Sequence, residues 1–121
     1  MGTTSGCDVC GVKAEDGKRR QHLRCVTTIY DQRGTGSPSE KAVHSLNRIL
    51  GVGEWTIVPT EPLQVVDVVG LIHAAGNFSL KVEGIEVAQA YGDAEANAKP
   101  SEVAESAKLD ALVRCLNQFR G

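Results

Sequence analysis

Aromatic residues are scarce: two Phe, two Tyr and one Trp in 121 residues. A protein that stacks unpaired bases has few ring faces to use here. Long apolar runs are missing as well. None approaches the ~20 residues of a membrane-spanning helix, so no such span is expected. No charged start leads into an apolar core and a cleavage-like site, so the sequence predicts an intracellular location (cytoplasm, nucleoid or nucleus) and no secretion. Four cysteines are too few for a disulfide scaffold of this length, and they read as reduced thiols available for a metal or for the core. The usual catalytic signatures are absent: no GxSxG, no HExxH, no Walker loop and no GxGxxG followed by an acid. The histidines at 22, 44 and 73 are far apart, and Cys115 reads as a small core residue. The expectation is a protein that is not an enzyme. An excess of one charge is lacking too, since the net charge is −2. That near-balance conceals an asymmetry. Residues 1–50 carry 8 Lys+Arg against 5 acids, and residues 51–121 carry 5 against 10. A nucleic-acid site, whose affinity comes from phosphate neutralisation, would therefore be local and in the N-terminal half.

What is present fits one α+β domain. Residues 1–22 read as a flexible or zinc-ordered N-terminal segment, and 23–121 as a single domain. Leu23, Cys25, Thr27 and Ile29 alternate with more polar neighbours, which predicts a strand over 23–30. Ser37-Pro38-Ser39-Glu40 is a capping box with proline at the first helical position, and Ala42, Val43, Leu46, Ile49 and Leu50 follow at helical spacing until Gly51. Strands are expected at 54–58, 64–73, 77–83 and from Ile85 to Tyr91, with a tight turn at Gly84. A last helix is expected over 101–119, with Leu109, Leu112, Leu116 and Phe119 as its buried stripe. The order is β-α-β-β-β-β-α: a mostly antiparallel sheet with helices packed on one face.

Two close pairs, Cys7-x2-Cys10 and His22-x2-Cys25, are separated by about a dozen residues. Three thiols and an imidazole suit a tetrahedral zinc ion, as in a zinc knuckle or a single turn of zinc ribbon. Cys7, Cys10, His22 and Cys25 are therefore the candidate ligands of one structural zinc.

Three further stretches carry a resemblance. Leu46-Asn47-Arg48-Ile49-Leu50-Gly51-Val52-Gly53-Glu54-Trp55 resembles an Asn-x-x-φ-Gly-x-x-x-Trp motif, where φ is aromatic or aliphatic. Ala90-Tyr91-Gly92-Asp93-Ala94-Glu95 is similar to Gly-Tyr-Gly-x-x-Glu. Ala107-x-x-Asp110-x-Leu112-x-Arg114-x-Leu116-x-x-Phe119 is close to Ala-x-x-Asp-x-Leu-Lys-Arg-x-Leu-x-x-Phe-Gly. All three belong, in this order, to single-strand annealing proteins of the Rad-fifty-two type, and together they span about two-thirds of the chain. The resemblance implies a homo-oligomeric ring or filament that lays single-stranded DNA along a basic groove. It would anneal complementary strands in recombination and repair without a nucleotide cofactor. Arg114 matches one of the family's groove cations. The family's neighbouring Lys is Val113 here, a later Arg is Asn117, and the Gly after Phe119 is Arg120.

The residues themselves supply further candidates for that groove. Lys18, Arg19, Arg20, Arg24 and Arg33 offer charge, and Tyr30 offers a ring. Self-association is expected, because a sheet without a second helix layer leaves an edge or an apolar face unpaired. Two other functions fit the composition. A double-stranded RNA-binding-like module shares the sheet-then-helix plan, but it wants lysines where Glu102 and Glu105 stand. A small protein-interaction module, acting as adaptor or inhibitor, suits the acidic C-terminal half.

Overall fold

The computed structural model describes residues 7, 9–12 and 17–119. The leader 1–6 lies outside them. A 3-10 turn, Arg19–His22, runs into α1 (Leu23–Gln32) and then α2 (Pro38–Leu50). Four strands follow: β1 (Trp55–Pro59), β2 (Gln64–Val68), β3 (Leu71–Val82) and β4 (Ile85–Ala96); α3 (Pro100–Asn117) closes the domain. The fold is α+β, with one antiparallel sheet. From residue 38 onward the order is the expected one.

The first element is a correction. Leu23–Gln32 is a helix, where alternation had predicted a strand. Leu23, Cys25 and Thr27 keep period 2, but Val26, also buried, breaks it. The buried set His22, Cys25, Val26 with half-buried Ile29 is a 3.6-residue stripe. The threonines that favoured a strand are accommodated because both hydroxyls donate to the carbonyl of Arg24, at 2.7 Å from Thr27 and 3.2 Å from Thr28. The α2 start is as expected: the Glu40 amide donates to Ser37 Oγ at 3.3 Å, and the Ser37 amide donates to the Glu40 carboxylate at 3.5 Å.

The strand boundaries are a second correction. Residues 64–73 are not one strand, because the chain reverses at Val69-Gly70, and β3 then runs unbroken through Gly76. Both hairpin turns place a non-glycine residue at positive φ ahead of a glycine: Val69 at 56° before Gly70 at 82°, and Glu83 at 56° before Gly84 at 80°. These are the left-handed pairs that two-residue hairpins require. Valine is a poor residue there, since its branched Cβ crowds the carbonyl. Val69 is 99% exposed and so has no packing to offset that strain. We expect Val69→Asn to raise stability by about 1 kcal/mol, read as a higher urea midpoint at unchanged slope; a lower midpoint would contradict the strain argument.

β3 is central. β4 lies along one side of it, while β1 pairs with its C-terminal half and β2 with its N-terminal half on the other. The core face of the sheet carries Ile57, Ile72, Ala74, Phe78, Leu80 and Val82. Against it α3 packs Val103, Ala107, Ala111, Leu112, Cys115 and Leu116. The α3 stripe is thus rich in small residues, and the expected Leu109 and Phe119 stand half-buried at its margin. Gly92 is where the two layers come closest. A Cβ there would stand 2.2 Å from the Ala107 carbonyl oxygen and 2.7 Å from the Ala111 Cβ. α2 then covers α3, and α1 covers α2, with Leu46 and Val26 fully buried.

Candidate metal centre and nucleic-acid interface

The N-terminal thiols are shaped by a tight turn. The Cys7 amide donates to the Val12 carbonyl at 3.0 Å, and the Gly11 amide donates to the Cys7 carbonyl at 2.9 Å. Gly11 sits at φ 78°, which turns the chain so that Cys10 comes back beside Cys7. The Val9 amide donates to Cys7 Sγ at 3.4 Å. The second pair comes from the junction of the 3-10 turn with α1. His22 and Cys25, three residues apart, project from one side of it.

The four ligand atoms, the Sγ of Cys7, Cys10 and Cys25 and a ring nitrogen of His22, all lie within 4.8 Å of one another. His22 Nδ1 is 3.5 Å from Cys10 Sγ and 4.0 Å from Cys25 Sγ. Zinc bonds of about 2.3 Å to sulfur and about 2.0 Å to nitrogen set tetrahedral corners roughly 3.5–3.8 Å apart. The cluster is therefore of the size and donor type that binds a metal ion. Cys7, His22 and Cys25 are buried, and Cys10 is exposed.

Electrostatics point the same way. Burial pushes the Cys7 thiol up, but the amides of Cys10 and Val9, with the Cys25 and Cys10 thiols, outweigh it and hold Cys7 below its ordinary value. Cys25 is pushed up to about 12 by burial and by the neighbouring Cys7 and Cys10 sulfurs. Three thiolates packed together repel, and a dication relieves that repulsion. The remaining cysteine, Cys115, is fully buried in α3, and burial, with the Glu86 charge, raises it to about 11. It is a core residue.

The predicted cations divide into two kinds. Arg19 is drawn into the protein. Its Nε donates to the Leu50 carbonyl at 3.0 Å, and its guanidinium pairs with Glu83 at 3.2 Å and Glu54 at 3.8 Å. It ties the 3-10 turn to the end of α2 and to the β3–β4 turn. Arg114 belongs to a ladder along the outer edge of β4. Asp110, Arg114 and Gln118, one helical turn apart, meet alternate residues of that strand. The Asp93 amide donates to Asp110 at 3.0 Å, Arg114 donates to the Tyr91 carbonyl at 3.0 Å, and Gln118 donates to the Gln89 carbonyl at 2.6 Å. Arg114 also pairs with Asp110 at 3.2 Å and Asp93 at 3.6 Å. These side chains occupy backbone groups that an added strand would need.

Lys18, Arg20 and Arg24 are of the other kind. All three are exposed, and among the described residues none has a side-chain hydrogen bond or ion pair. Arg20, Gln21, Leu23 and Arg24 form one wall of a cleft of about 340 Å³, and Gln118 and Phe119 form the other. Phe119 was expected in the core but is a half-exposed wall of this cleft, a placement that depends on where α3 ends relative to α1. Tyr30 and Arg33 lie at the far end of α1. The Tyr30 ring is half-buried beneath Lys41 Nζ, 4.5 Å from its centroid. Arg20 and Arg24 thus share one local surface with Phe119, and Tyr30 and Arg33 sit apart from it.

Of the stretches that carry the family resemblance, the first is tied within itself, and the second packs on the third. Trp55 Nε1 donates to Asn47 Oδ1 at 2.8 Å. Gly92 faces Ala107 and Ala111, and the Asp93 amide meets Asp110. Compared with known proteins, the chain matches no family model and no curated protein. No helix among the described residues is long and apolar enough to cross a membrane.

Proposed function

We propose that the chain is a single-strand DNA-binding and strand-annealing domain that acts as a homo-oligomer and holds one structural zinc ion. The observation that carries this reading is the cleft between Arg20 and Arg24 on one side and Phe119 on the other. Two unpartnered guanidiniums offer phosphate contacts, and the half-exposed ring offers a face for a base. Lys18 extends the positive surface. Arg114, one helical turn before Gln118 of the cleft, also fixes the strand edge beside α3, while Arg33 and Tyr30 lie outside the cleft. Zinc would be held by Cys7, Cys10, His22 and Cys25, and its place is structural because all four positions are protein ligands. Annealing is downhill for complementary strands, so no nucleotide cofactor is needed.

Self-association has support in the sheet. The β4 edge is occupied by α3 side chains, whereas among the described residues nothing pairs with the outer edge of β2. All five β2 residues are exposed, and Val65, Val66, Val68, Val69 and Leu71 make its hairpin apolar. An unpaired, apolar edge of this kind is a template for a second copy. Copies side by side would multiply weak clefts along one strand of DNA.

The test is binding of a labelled oligothymidine at several salt concentrations, with annealing of complementary oligonucleotides followed in parallel. Wild type should bind at low salt, and Arg20→Ala with Arg24→Ala should flatten the slope of log affinity against log salt by roughly 1.4, or about 0.7 for each lost contact. No binding of single strands at low salt, together with a particle of only 12.9 kDa by light scattering, would refute the reading and favour a protein-interaction module.

A further inference from the structure

We propose that the metal centre controls the nucleic-acid cleft: the ion held by Cys7, Cys10, His22 and Cys25 fixes the start of α1 in the arrangement that presents Arg20 and Arg24 together. This inference rests on the single-strand reading above. Its basis is that ligands and cleft residues interleave in one short stretch. His22 and Cys25 turn inward to the thiols, while Arg20, Gln21, Leu23 and Arg24 line the cleft. No residue of this stretch can rotate about the axis without moving both sets.

The stretch also has little local support. Neither the 3-10 turn nor α1 has a side-chain cap at its N-terminus, and neither has an acid in its first turn. Arg19, Arg20 and Arg24 instead place positive charge near the positive end of the helix dipole, which is unfavourable. A helix of 10 residues is too short to hold itself in water. Leu23 and Val26 fasten its inner side to the core, and Arg19 fastens the preceding turn. What ties the remaining side is His22 and Cys25, through the ion, to the Cys7–Gly11 turn. Without the ion the first turn of α1 frays, and Arg20 and Arg24 no longer face Phe119 as a pair. The centre is thus a switch: a chelator that withdraws the ion would release DNA without unfolding the sheet.

The experiment compares full-length protein loaded with one equivalent of zinc against metal-free protein kept reduced. Oligothymidine binding is measured across a salt series. The metal-free form should bind at least about tenfold more weakly, with a salt slope flatter by roughly 1.4, and one equivalent of zinc should restore both. Hydrogen exchange should quicken far more at α1 amides than at β3 amides in the metal-free form, with β3 remaining the best-protected element. In the Arg20→Ala, Arg24→Ala protein, zinc should no longer alter affinity. His22→Cys, which keeps a zinc ligand, should retain more of the zinc response than His22→Ala, which removes one. Equal affinity and slope with and without zinc would overturn the inference and leave the single-strand reading standing. So would α1 and β3 amides falling to the same protection, since the metal-free domain would then open only as a whole. Failure of both forms to bind single strands would overturn both.

Discussion

Gly92→Ala should cost the domain about 3 kcal/mol, at the upper end of the range for overpacking a core. The added methyl group would meet the Ala107 carbonyl oxygen at 2.2 Å and the Ala111 amide nitrogen at 2.7 Å. Both are backbone atoms of α3, so no rotamer change relieves the contact. The helix would have to lift away from β4, loosening the packing around Leu112, Cys115 and Leu116 and stretching the ladder from Asp110, Arg114 and Gln118 to the strand edge. For a chain of this size, 1 kcal/mol moves the melting midpoint by about 3–5 °C, so a fall of roughly 9–15 °C is expected. Gly76→Ala is the control. Its Cβ would stand 2.5 Å from Leu63 Cδ2, the far end of a flexible side chain that can move away. A midpoint for Gly92→Ala no lower than that of Gly76→Ala would contradict the close-approach argument.

The same contact shows what a sequence read in isolation conveys. Features written within a few residues were legible. The capping box at Ser37 and the stop at Gly51 bracket α2 as expected, and the four metal-cluster residues were recognisable from their spacing. The Glu83-Gly84 turn was legible from its glycine, but Val69-Gly70 was not, because valine at the left-handed position is an unusual choice. α1 was missed because its apolar residues satisfy two periods at once. The signal that favours a helix was in the metal motif itself. His22 and Cys25 must face one ion, and a three-residue spacing achieves that on a helix, whereas on a strand it points them to opposite faces.

Long-range placements were not legible. The sequence puts Arg114 in an apolar stripe; its partners Asp93 and Tyr91 come from a strand that only the folded chain brings alongside. Arg19 looks like any member of the Lys18-Arg19-Arg20 run, yet Glu83 and the Leu50 carbonyl draw it inward while Arg20 stays in solvent. Phe119 joins Arg20 and Arg24 only because α3 ends beside the start of α1. Sorting a run of cations into struts and free charges requires the partners, and the partners are distant in sequence.

Removing the metal should have the second large effect. A ligand that binds the folded state alone stabilises it by about 4 kcal/mol at a free concentration 1,000 times its dissociation constant. Structural zinc sites in small domains exceed this in affinity. The part of the chain that depends on the ion here is the turn around Cys7 and Gly11 and the inner face where the 3-10 turn meets α1, with His22 3% exposed and Cys25 9%. Without the ion, the Nδ1 of the buried imidazole keeps only thiol partners, which are weak hydrogen-bond groups and a poor replacement for a metal bond. We therefore expect zinc-loaded protein to melt roughly 12–20 °C above chelated, reduced protein. Cys7→Ser and Cys25→Ser should each reproduce most of that drop, and Cys115→Ser, which changes a fully buried thiol outside the cluster, should leave zinc content at one equivalent per chain. Metal analysis of protein purified without chelator, combined with calorimetry of these variants, decides the matter. A zinc content near zero with Cys7→Ser melting at the wild-type temperature would remove the metal from the account and leave Cys7, His22 and Cys25 as ordinary core residues.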